Sequence, residues 1–125
     1  MNSDLTVGSL SLKLKYSDKS GSVRSEVSRG PNLPTTMTIS HQQVTDSKLK
    51  VPATRSLLRI DRTQVLDTTT GLVGDVSAYV VVQVPQGASV TSSDILAAVQ
   101  SLIDVLQEDD SGLDLMDEIF VNREQ

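Results

Sequence analysis

A chain of 125 residues sets one domain as the expectation, and at 38% hydrophobic, with one Phe, two Tyr and no Trp, it can bury only a thin core that favours oligomerisation. The absence of cysteine excludes disulfides and thiolate zinc sites, and no apolar run approaches the roughly 20 residues that span a bilayer. The net charge of −5 hides a split: residues 1–64 hold ten Lys or Arg against five acids, residues 65–125 one Arg against eleven, as in a molecule whose cationic layer meets a polyanion.

Taken in order, the opening MNSDLTVGSL lacks the basic-then-apolar pattern of a secretory signal, so no secretion is expected. Residues 9–16, SLSLKLKY, alternate strictly, with Leu10, Leu12, Leu14 and Tyr16 on one side and Ser11, Lys13 and Lys15 on the other. The turn residues SDKSGS lead into SVRSEVS, so residues 9–28 read as a hairpin. Two prolines in RGPNLP break regular structure. A third strand, TTMTISHQQVT from Thr35, places Met37, Ile39 and His41 on one face and Thr36, Thr38, Ser40 and Gln42 on a wholly polar one. After the basic turn DSKLKVPAT comes a long fourth strand from Thr54, with Leu58 and Ile60 facing one way and Arg55, Leu57, Arg59 and Asp61 the other. Residues 67–75, DTTTGLVGD, read as a loop, and the β-branched run SAYVVVQVP from Ser77 reads as a strand ended by Pro85.

From Ser92 the period changes. Ile95, Val99, Leu102, Ile103 and Leu106 fall on one face of an amphipathic helix, and Thr91 with Asp94 three residues on forms a capping box. Acids at 108–110 oppose the helix dipole and help stop the helix. Ser111 with Asp114 suggests a second helix, whose stripe is Leu113, Met116, Ile119 and Phe120. Strands over 1–85 followed by helices over 91–122 indicate an α+β fold: an antiparallel β-sheet with an N-terminal hairpin, and two C-terminal α-helices packed on one face. The helix stripes then serve as core or dimer interface. The uncovered sheet face would carry Lys13, Lys15, Thr36, Thr38, Ser40, Gln42, Arg59 and Tyr79, a composition suited to phosphate and sugar.

Enzymatic chemistry finds little support. There is one histidine, and adjacent Ser40 and His41 fall on opposite faces of their strand, so they cannot act as nucleophile and base. Gly71 and Gly74 lack the following Lys-Ser/Thr of a phosphate-binding loop. The run QEDDSGLDLMDE has Gly and Glu at calcium-loop spacing, but Gln107 stands at the first ligand position. No metal, cofactor or small-molecule substrate is expected.

The succession of N-terminal hairpin, polar-faced strand, RIDRTQVLDTTTGLVGDVSAYVVVQVP and C-terminal helices resembles the coat proteins of single-stranded RNA bacteriophages, the levivirus-type family. The resemblance covers nearly the whole chain and rests on order and pattern rather than on one short motif. It implies a homodimer with a continuous sheet and interlocked helices, assembling into an icosahedral shell with the sheet turned inward to the genome. It also implies RNA-hairpin binding and translational repression, localisation to the virion, and assembly in the bacterial host cytoplasm. By position, Asp67, Gly71, Gly74 and Asp75 match the loop that gathers at the shell's symmetry axes. Thr36, Thr38, Ser40 and Gln42 match the RNA-facing strand, with Arg59 and Asp61 on the next strand and Tyr79 and Val81 on the one after; Lys13 and Lys15 extend the same face. Tyr79 is the aromatic placed for base stacking, one same-face step from the family's stacking tyrosine. Ile95, Val99, Leu102, Ile103, Leu106, Met116, Ile119 and Phe120 would form the dimer interface. The rival expectation is a dimeric RNA-binding regulatory protein that never assembles.

Overall fold

The computed structural model describes residues 4–8, 10–87, 89–107, 109–110, 113–114 and 117–123. The chain divides into two compact units, Met1–Pro85 and Gln86–Gln125. The first is a 6-stranded antiparallel sheet in which each strand pairs with the next in sequence: β1 (Leu5–Val7), β2 (Leu10–Ser17), β3 (Gly21–Glu26), β4 (Thr35–Thr45), β5 (Pro52–Asp67) and β6 (Leu72–Pro85). The second holds α1 (Ser92–Gln107), a two-residue pair β7 (Asp109–Asp110) and β8 (Leu113–Asp114), and a π-helical turn over Asp117–Val121. The fold is α+β, with the sheet preceding the helix.

Three of the turns that join the strands are each held by an aspartate. Asp18 accepts from the Ser20 amide at 2.7 Å and the Gly21 amide at 3.0 Å, closing the β2–β3 hairpin. Asp46 does the same between β4 and β5, accepting from the Lys48 and Leu49 amides at 2.9 Å each. Asp67 accepts from the Thr69 amide at 2.8 Å, and Gly71 takes the left-handed conformation, φ 73°, that closes the β5–β6 turn.

The buried apolar side chains Leu12, Met37 and Ala53 belong to β2, β4 and β5. Opposite Met37, Arg24 is fully buried and donates from Nη1 to Ser22 Oγ at 2.6 Å. Residues directly opposite one another across an antiparallel pair share a face. By that rule Leu14, Arg24, Met37, Ile60 and Ala78 form one row, as do Ser22, Ile39, Leu58 and Val80. These rows are the face expected to be apolar; they also carry Arg24.

Several boundaries differ from the sequence expectation. The short β1 carries no sequence signal, because LTV is too brief to show a period. The loop expected over 67–75 is mostly strand: β5 runs to Asp67 and β6 starts at Leu72, leaving a turn over 68–71. Gly74 pairs with Gln64 and Asp75 with Thr63, so both lie in the ladder. Leu72, Val73 and Val76 favour strand strongly enough to override the glycine between them. Ser92 begins α1 as expected, and its capping box forms: the Asp94 amide donates to Thr91 Oγ1 at 3.3 Å and the Thr91 amide to Asp94 Oδ2 at 3.0 Å. The expected second α-helix is replaced by the β7–β8 pair and the π-helical turn. Gly112 near its start, and like charges at Asp114, Asp117 and Glu118 on one helical face, oppose a regular short helix. Met116 lies outside the described residues.

Candidate nucleic-acid interface

The other sheet face is organised in cross-strand rows. The register of β4, β5 and β6 aligns Thr36 with Asp61 and Ser77, Thr38 with Arg59 and Tyr79, Ser40 with Leu57 and Val81, and Gln42 with Arg55 and Gln83. The eight positions expected on β4 to β6 therefore share one face. On the other side Ser25 lies opposite Thr36, and Lys13 opposite Ser25, so Lys13 joins them.

Lys15 does not. The β2–β3 register shifts between Leu14 and Tyr16, which leaves Lys15 in a β-bulge with no cross-strand partner. The same bulge turns Tyr16 over. It lies opposite Val23, on the polar face, not with Leu10, Leu12 and Leu14 as strict alternation predicts.

The electrostatics of this face are less cationic than its composition suggests. Arg59 Nε donates to both oxygens of Asp61, at 2.9 and 3.0 Å, and its NH2 group donates to Ser77 Oγ at 3.2 Å. The Ser77 hydroxyl in turn donates to Asp61. That bond first, and the guanidinium second, hold the Asp61 carboxyl below the usual carboxylate range. Lys13 pairs with Asp4 at 3.7 Å, but both are well exposed and the pair is weak. Arg62 lies opposite Thr35 and Val76, on the other face, together with buried Arg24. The Arg55 guanidinium, which was not among the expected contacts, makes no hydrogen bond or ion pair with a described residue.

Arg55 also lines a shallow cavity of about 220 Å³ with Ser40, Gln42, Leu57 and Val81. Its floor is aliphatic and its rim offers a hydroxyl, an amide and a guanidinium. Such a site can take a flat apolar ring with polar edges and pair an attached anion. The signal for Arg55 was present in the sequence, on the same side of its strand as Arg59. What could not be read there is that Arg59 spends its charge on Asp61.

His41 and Ser56 lie opposite one another on the other face, with Nδ1 2.8 Å from Ser56 Oγ. The pair spans two strands, which single-strand periodicity could not show. No acid among the described residues orients the imidazole, so the pair lacks the third member that nucleophilic catalysis uses.

No protein-family model matches the chain, and no curated protein matches it in sequence. Solved structures do match. The virus-like particle of bacteriophage AVE015 is similar with a TM-score of 0.60 at 20% identity, over 86% of this chain and 74% of that one. The bacteriophage EMS014 coat protein gives 0.63 at 19% identity, over 82% of this chain and 66% of that one. The virus-like particle of bacteriophage AVE019 gives 0.51 at 17% identity, over 89% and 94%. Six antiparallel strands in sequence order followed by a helix are thus the fold that this chain shares with bacteriophage coat proteins.

Proposed function

We propose that the chain is a capsid protein that associates as dimers and assembles into an icosahedral shell enclosing single-stranded RNA, with the row-built sheet face turned to the RNA. The observation that carries this reading is the similarity in fold to phage coat proteins and virus-like particles over more than four-fifths of the chain.

Two features support self-association. No residue of α1 is buried, and its apolar stripe is half-buried at Ile95, Val99 and Leu106 and exposed at Leu102 and Ile103. An amphipathic helix whose stripe is incompletely buried can gain burial from a second copy. Strand β6 is 14 residues long and stands at the sheet edge, where an unpaired ladder favours addition of a second copy. A dimer would satisfy both, with the two β6 edges joined and each helix laid on the partner. The β5–β6 turn would gather at the shell's symmetry axes, with Asp67 and Gly71 at its ends. The cavity beside Arg55 supports contact with an unpaired base and its phosphate, and hence hairpin binding of the kind that represses translation.

Electron microscopy of the purified protein tests the reading. Spheres with RNA inside are expected, and with two Tyr and no Trp in the chain, packaged RNA should dominate the ultraviolet spectrum. Discrete dimers at high protein concentration, still binding RNA, would instead indicate the non-assembling regulator.

A further inference from the structure

The chain has only two tyrosines, Tyr16 and Tyr79, and they lie at the two ends of a single cross-strand row. The row runs Tyr16, Val23, Thr38, Arg59, Tyr79 across β2 to β6, each residue directly opposite the next. All five therefore stand on the polar face. The bulge at Lys15 is what brings Tyr16 there; without it the ring would fall on the apolar side with Leu14. Both rings are open, Tyr16 at 56% and Tyr79 at 64% exposure.

We propose that Tyr16 is a second base-stacking platform, so that single-stranded RNA crosses the sheet along this row with one unpaired base on Tyr16 and another on Tyr79. The inference rests on the RNA reading above and adds to it a residue and a path. The Tyr16 hydroxyl already donates to Asp18 Oδ2, so the ring offers its face rather than its hydroxyl to a ligand. Asp18 also accepts from Ser20 and Gly21, which anchors the group holding the ring in the β2–β3 turn. Lys13, on the same face, and Lys15, next to Tyr16 in the bulge, supply cations beside it. Between the platforms lies the Thr38 hydroxyl, a group that bonds sugar and phosphate.

The spacing sets the length of the ligand. Four strand separations of about 4.8 Å put the platforms roughly 19 Å apart. At about 3.4 Å per stacked nucleotide, bridging them takes on the order of six nucleotides.

The test compares adenine oligoribonucleotides of three and eight nucleotides, binding to the full-length protein followed by fluorescence anisotropy. The octamer should bind wild type more tightly than the trimer. Tyr16→Leu should weaken octamer binding about ten-fold, and Tyr16→Phe, which keeps the ring, should restore it. A readout free of substitutions is photocross-linking of a 5-bromouridine octamer to wild type, which should yield adducts at both Tyr16 and Tyr79. Octamer binding that Tyr16→Leu leaves unchanged, or adducts at Tyr79 without Tyr16, would overturn the second platform while leaving RNA binding intact. If Tyr16→Leu abolishes particle assembly at unchanged affinity, the ring belongs to a contact between copies and the proposal fails. A protein that binds neither oligomer overturns both readings.

Discussion

Arg59 and Arg55 occupy the same strand and the same face, four residues apart, yet their surroundings differ. Arg59 is bound to Asp61 and Ser77, so much of its field is cancelled locally, whereas the Arg55 guanidinium makes no bond with a described residue and Arg55 borders the cavity. Arg55→Gln should therefore reduce the salt dependence of RNA binding by about one phosphate contact, a slope change near 0.7 for a single strand, and Arg59→Gln should change it less. Titrations of RNA affinity against salt concentration check the order; equal slopes for the two variants would contradict it. Asp18 makes a second prediction at this scale. The Tyr16 hydroxyl first, then Ser20, lower its carboxyl to about 2. A depressed carboxyl stabilises the fold above its unfolded value, near 3.9, and that contribution is lost as pH falls through the folded value. The stability advantage of wild type over Asp18→Ala should thus hold at pH 5 and shrink between about pH 4 and pH 2, as measured by denaturant melts across that range.

At the scale of elements, the β3–β4 pairing depends on a glycine. A Cβ on Gly21 would lie 2.1 Å from the Ile39 carbonyl oxygen, a backbone atom in a paired strand that has little room to move. Gly21→Ala should destabilise the sheet by about 1–3 kcal/mol, read from the shift of the denaturation midpoint. The strands themselves were largely legible. Thr35–Thr45 emerges with the bounds that its alternation suggests, because a half-buried strand with one polar side leaves an unbroken period of two. The start of α1 was equally legible, since Thr91 and Asp94 carry a local bond that needs no tertiary partner. Elements that depend on neighbours were not. The extension of β5 and β6 through residues expected to loop is a cooperative ladder effect, in which each strand supplies the partner that the other lacks. Among the described residues the C-terminal stretch forms no second α-helix, because repulsion among its acids opposes the apolar spacing.

For the whole molecule, the excess of Lys and Arg before residue 65 is not gathered on one cationic face. Lys48 is in a turn, Arg24 is buried, Arg62 faces away, and Arg59 is paired. In the proposed dimer a second copy would add to the long β6 edge and complete the burial that the thin core leaves short. By itself the sequence determined the order of strands and helix, the polar side of the third long strand and the helix cap, because periodicity and capping are local properties of consecutive residues. Only the tertiary structure decided which ring shares a face with which, since one extra residue in a strand inverts every side chain after it. It likewise decided which cation keeps its charge, because a partner one strand away is invisible to any pattern read along a single strand.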